Sequence, residues 1–141
     1  MLARWGSLAG YVLILALIVC AADSGWWREV FDTVRSIPAG DKACHFLLMG
    51  MLVYLANRAL QGRRFAWKRG VLFVGTVVVS VAVLAEEVSQ IWIPGRSFSL
   101  LDLAADVLGM LAGDWWSRRA AGMVHRDAKA ASATQGTGAD A

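Results

Sequence analysis

The sequence predicts an all-α membrane domain: a four-transmembrane-helix bundle with short loops and both termini in the cytoplasm. Three observations carry this expectation. The apolar residues fall in four long runs, the basic residues segregate to one side of those runs, and the tryptophans sit at the ends of the runs. The chain has 141 residues, 57% hydrophobic and 18% charged, with a mean hydropathy of +0.51. A soluble domain carries about 25% charged residues, and this length fits a single domain.

The first run covers 5–22 and is uncharged across its middle. The second covers 43–60, interrupted by His45 near its start. The third covers 70–93 and stays apolar until Glu86 and Glu87. The fourth covers 99–116 and carries Asp102, Asp106 and Asp114. Each is long enough for a spanning helix, which needs roughly 17–25 residues. Backbone groups in hydrocarbon need internal partners, so such segments are helices or barrel strands. The runs lack the alternation of barrel strands, which leaves helices. The membrane domain is expected over 1–120. The segment 121–141, rich in Ala, Thr, Gly and Ser, is expected to be a disordered cytoplasmic tail. Cys20 and Cys44 read as small apolar fillers in packed helices rather than as a disulfide.

Charge sets the orientation. Four crossings place ten basic residues with the N-terminus, the loop after the second run and the tail: Arg4, Arg58, Arg63, Arg64, Lys68, Arg69, Arg118, Arg119, Arg126 and Lys129. Four fall on the other side, Arg28, Arg35, Lys42 and Arg96. Cytoplasmic loops are the ones enriched in Lys and Arg, so both termini are expected inside. The basic excess has a topological explanation and does not point to nucleic acid. Indole prefers the headgroup layer, and Trp5, Trp26, Trp27, Trp67, Trp92, Trp115 and Trp116 alternate between the two surfaces as four crossings demand. A cleavable signal peptide ending near Cys20-Ala21-Ala22 is the rival reading of the first run. Four retained helices satisfy both the charge and the tryptophan patterns.

The ionisable residues inside the apolar runs collect at one surface. A charge at the bilayer centre costs about 2.5–3.5 kcal/mol or more, so such residues are paired or functional. The second run enters with Asp41-Lys42-Ala43-Cys44-His45, and Asp41 and His45, four apart, share a helix face. The third leaves with Glu86-Glu87-Val88-Ser89-Gln90. Pro94 and Gly95 then turn the chain, setting Arg96 beside the acids. Ser99 is a suitable helix cap. Asp102, Asp106, Gly109 and Gly113 follow in steps of four, three and four, a single stripe whose glycines admit a close helix neighbour. The aspartates are thereby expected to point into the bundle.

At these residues the chain resembles the VanZ-like family of small bacterial multi-pass membrane proteins. The resemblance rests on Asp41-Lys42-x-x-His45-Phe46, Glu87-x-x-Gln90, Pro94-Gly95-Arg96-Ser97-Phe98, and Asp102 with Gly109 and Gly113. It covers about half the chain. The family often has asparagine where this chain has Asp106. The resemblance implies a multi-pass protein of the bacterial inner membrane. It also implies a link to the cell envelope, since the family's named member is associated with resistance to the glycopeptide teicoplanin. It implies no particular reaction, and whether the chain is an enzyme stays open.

A polar site at headgroup depth suits an amphiphile such as an envelope lipid or lipid-linked molecule. Here His45, paired with Asp41, would move a proton and Glu87 would take the other. Arg96 and Lys42 would grip a phosphate or carboxylate, with Gln90, Asp102 and Asp106 completing the binding surface. His45, Glu87, Asp102 and Asp106 would also suit Mg, Mn or Zn, but no compact ligand motif is present, and no metal or cofactor is assigned. The non-enzymatic alternative is a scaffold whose salt bridges hold four short helices together. An oligomer through the Gly109/Gly113 face is a further expectation. Transport is disfavoured, because polar groups do not continue to the inner face.

Overall fold

The computed structural model describes residues 2–67, 70–90 and 99–136, apart from the side chains at 23, 67, 70, 86–90 and 124–136. Among the described residues the chain is mostly helical. α1 covers Leu2–Ser24, α2 Arg28–Ser36 and α3 Gly40–Ala59. A hairpin of β1 (Arg64–Trp67) and β2 (Gly70–Phe73) leads into α4, Val74–Gln90, and α5 covers Leu100–Gly136. By length and composition, one described helix is apolar enough throughout to cross a bilayer, α1 over Leu2–Ala22. Val74–Ala85 is a shorter apolar helix.

Contacts between elements fix the helix directions. Lys42 meets Asp102, His45 meets Asp106 and Asn57 meets Ser117. Partners that stay about sixty positions apart make α3 and α5 a parallel pair. Thr76 meets Asp114 and Ser80 meets Met110, so α4 runs against them. The Tyr11 hydroxyl donates to the Leu48 carbonyl at 3.0 Å, and Leu8 packs on the cluster around Val53, so α1 also runs opposite to α3. Four long helices thus alternate in direction along the chain.

The α3–α5 seam is a backbone contact. A Cβ on Gly109 would strike the Phe46 carbonyl, and one on Gly113 would strike the carbonyl of Gly50. A Cβ on Gly50 would come within 3.0 Å of the Gly109 oxygen. Small residues permit this approach, and dispersion over a close seam is what holds helices together where hydrophobic burial offers little. Val53, Ala56, Val79 and Met110 form the buried core, with Met49, Leu52 and Val83 packed around it. Leu13, Ile14, Leu17, Val78, Val81, Leu84, Leu108 and Leu111 are all exposed.

Several sequence expectations change. The segment between the first two runs contains α2, a short amphipathic helix whose Phe31 and Val34 are half-buried. A reading that looks for long apolar runs passes over a helix of this length. Residues 70–73, expected to open the third span, pair as β2 with β1 in antiparallel register, Arg64 opposite Phe73 and Trp67 opposite Gly70. Phe73 is 1% exposed and lies beneath the guanidinium groups of Arg64 and Arg118, at 5.3 and 5.0 Å from its ring centre. Its burial anchors the strand. α5 runs on to Gly136 through the segment expected as a disordered tail. Alanine is the strongest helix former, and the segment is rich in it. Trp115 and Trp116 therefore lie within α5, not at its end. Cys20 and Cys44 are free and exposed rather than packed.

Candidate functional site

The first turns of α3 and α5 build the site. Ile37-Pro38-Ala39 closes the turn after α2, with the Gly40 N–H donating to the Ile37 carbonyl at 2.9 Å. Ala39 has φ 59, a left-handed conformation that costs a non-glycine residue about 1 kcal/mol or more. The turn delivers Asp41, Lys42 and His45 to the first turns of α3. On α5, the Asp102 N–H donates to the Ser99 hydroxyl at 3.3 Å, so Ser99 caps the helix that carries Asp102 and Asp106.

Asp102, Asp106, Gly109 and Gly113 all face α3. The expected Asp41–His45 pair is replaced by another: His45 Nδ1 lies 2.9 Å from Asp106 Oδ1. The parallel seam sets Asp106 level with His45, a contact across 61 residues that outcompetes the neighbour within the helix. Asp106 is 3% exposed, whereas the His45 side chain keeps 40% of its surface. An ionised carboxylate only accepts, so Nδ1 donates to it. Nε2 has no partner among the described residues.

Lys42 stands beside this dyad, with Nζ 3.0 Å from Asp41 Oδ2 and 3.1 Å from Asp102 Oδ1. The Asp41 hydrogen bond, followed by the one from Asp102, holds its ammonium above the usual lysine range. Lys42, expected to help Arg96 grip an anionic group, bridges two carboxylates. Asp41 Oδ1 is buried and has no hydrogen-bond partner among the described residues. Buried polar atoms without partners are rare in native structures.

Glu87 and Gln90 lie in the last turns of α4, but their side chains are outside the described residues, as is the whole of Arg96. Among the described residues, no group of three His, Cys, Asp or Glu side chains is arranged to hold a metal ion. The Gly109/Gly113 face, expected to serve an oligomer, is filled by α3 of the same chain.

A second polar network contradicts the expectation that polar groups stop short of the other end. Asn57, 2% exposed, accepts the Thr76 N–H at 3.0 Å and donates to Thr76 Oγ1 at 3.0 Å and Ser117 Oγ at 3.3 Å. Thr76 Oγ1 donates to Asp114 at 2.6 Å, and Asp114 also takes Arg118 Nε at 2.6 Å. A Cβ on Gly75 would run into Asn57 and Ala56, so glycine lets the start of α4 close on α3. The apolar core lies between the two networks, consistent with two separate sites rather than one polar path. The signal for this network was available: a lone asparagine inside an apolar run needs partners.

A model of the VanZ/LLP1 family matches residues 8–119. No curated protein and no solved structure matches the chain.

Proposed function

The chain belongs to the VanZ/LLP1 family, and from that premise we propose that it is a four-span protein of the bacterial inner membrane which binds or acts on an envelope lipid or lipid-linked molecule at its outer surface. The membrane reading is supported by the many large apolar side chains left exposed on α1, α3, α4 and α5, since extended apolar surface marks a membrane or partner contact. The alternating helix directions accord with it. So does the charge bias, with Arg4, Arg58, Arg63, Arg64, Arg118 and Arg119 at one end of the bundle and the His45 site at the other.

The observation that carries the site is the His45–Asp106 dyad. A buried carboxylate orients an imidazole whose second nitrogen is free at the depth of the headgroups. In this reading Nε2 takes a proton from a hydroxyl or water and returns it to a leaving group, while Asp106 stabilises the imidazolium. The family's frequent asparagine at that position would orient the ring without supplying the charge. Lys42, held between Asp41 and Asp102, offers its remaining donor capacity to an anionic headgroup. Carrying the register of α4 on α5 forward (Thr76 on Asp114, Ser80 on Met110) sets position 87 level with position 103. Glu87, Gln90 and Arg96, expected from the sequence at the same surface, are assigned to this pocket as part of the proposal. Resistance to teicoplanin-type glycopeptides is the phenotype that such a site would influence.

Native mass spectrometry of the full chain from bacterial-lipid nanodiscs tests the reading. The wild type should retain an envelope lipid or lipid-linked molecule, and His45→Ala combined with Arg96→Ala should lose it at unchanged membrane abundance. Equal retention by both proteins rejects the site. Loss of abundance in step with loss of ligand favours the scaffold reading, in which the ion pairs only hold the helices.

A further inference from the structure

At the far end of the bundle from His45, a cavity of about 560 Å³ opens between α1, α3, β2 and α5. Tyr54, Phe73, Ala120 and Ala121 give it an apolar wall, and Arg4 and Arg58 stand in its lining. The polar groups of Asn57 and Ser117 that reach it are already engaged in the network described above. The two arginines are not engaged. Arg118 is paired with Asp114 and Arg64 lies over Phe73, but the guanidinium groups of Arg4 and Arg58 have no hydrogen bond or ion pair among the described residues. No acidic residue lines the cavity. Its volume lies within the 300–1,000 Å³ usual for ligand pockets.

Two unpaired guanidiniums on different helices, beside an apolar wall, have a defined chemical complement. It is an anion that accepts several hydrogen bonds and carries a greasy extension, since the planar guanidinium matches phosphate oxygens in pairs. We propose that this cavity binds an anionic phospholipid of the cytoplasmic leaflet. The phosphate lies between Arg4 and Arg58, and the glycerol and first methylenes lie against Tyr54, Phe73, Ala120 and Ala121. The charge complementarity selects a lipid over an apolar helix as occupant, and the apolar wall selects it over free phosphate. The proposal rests on the membrane orientation given above but not on the His45 site.

The test uses the full chain in nanodiscs of equal parts phosphatidylglycerol and phosphatidylcholine, with retained lipids counted by native mass spectrometry. The wild type should keep phosphatidylglycerol preferentially. Arg4→Gln and Arg58→Gln should each weaken that preference roughly fivefold, and together about thirtyfold, as expected for one basic contact apiece at an anionic surface. Ala121→Leu keeps both arginines and narrows the cavity, and it should also release the lipid. Millimolar inorganic phosphate should not displace it. His45→Ala should retain the full preference, so this site and the outer one fail separately. Equal retention of the two lipids by the wild type overturns the proposal whether or not any variant folds. Displacement by inorganic phosphate alone overturns it in favour of a soluble anion.

Discussion

At the scale of single residues, two side chains decide most. His45 was legible in the sequence as a polar group in an apolar run, but its partner was not. Sequence spacing reveals neighbours four apart on one helix, whereas the bond to Asp106 depends on the register of two helices sixty positions apart. Asp106→Asn separates orientation from charge. It keeps an acceptor for His45 Nδ1, so the protein should unfold in detergent at an unchanged temperature while ligand turnover or retention falls. Thermal melts alongside the retention assay check both halves. Asn57 answers to a different principle. Its side chain closes the start of α4, where the first helical N–H groups have no partner within the helix, by accepting from Thr76. Asn57→Ala strands that buried N–H and should cost about 1–3 kcal/mol, read as a lower unfolding midpoint with the His45 site otherwise intact.

At the scale of elements, the stripe of Asp102, Asp106, Gly109 and Gly113 was readable because helical periodicity is local. Its partner was not, since Gly50 gives no sign in the sequence of meeting Gly109 and Gly113. α2 and the β1–β2 hairpin escaped for the opposite reason: short elements leave too few periods to register. Packing makes a graded prediction here. Gly109→Ala and Gly113→Ala put a methyl group into backbone of α3 and should destabilise by about 1–3 kcal/mol each, the usual cost of overpacking. Gly10→Ala, with open space around the new Cβ, should be neutral or slightly stabilising, because alanine restricts the unfolded chain. Unfolding midpoints of the three variants, compared in one detergent, check the order.

At the scale of the molecule, α5 sets the dimensions. Its 37 residues extend about 55 Å, against a hydrocarbon core of about 30 Å. Residues 100–116 account for about 25 Å of that length, and the helix continues past the Trp115–Trp116 pair. Low complexity suggests disorder over 121–136, whereas alanine favours helix, and α5 continues through these residues. Fusions test the orientation. Alkaline phosphatase joined after Ala39 should be active and green fluorescent protein joined there dark, with the reverse for fusions after Gly62 and after Gly122. Retention of α1 is testable too. Tyr11 and Leu8 hold it on α3, so the intact mass of the mature protein should include residues 5–22.

The carbonyl-to-glycine contacts between α3 and α5 leave variation at positions 50, 109 and 113 only one direction. No residue is smaller than glycine, so every replacement widens the gap. His45 and Asp106 sit within one turn of Phe46 and Gly109, so they feel that widening at once. Their 2.9 Å separation is about half an ångström from the length at which a hydrogen bond ceases to count. Drift along this seam would first be felt as a broken His45–Asp106 contact, before the fold itself gave way.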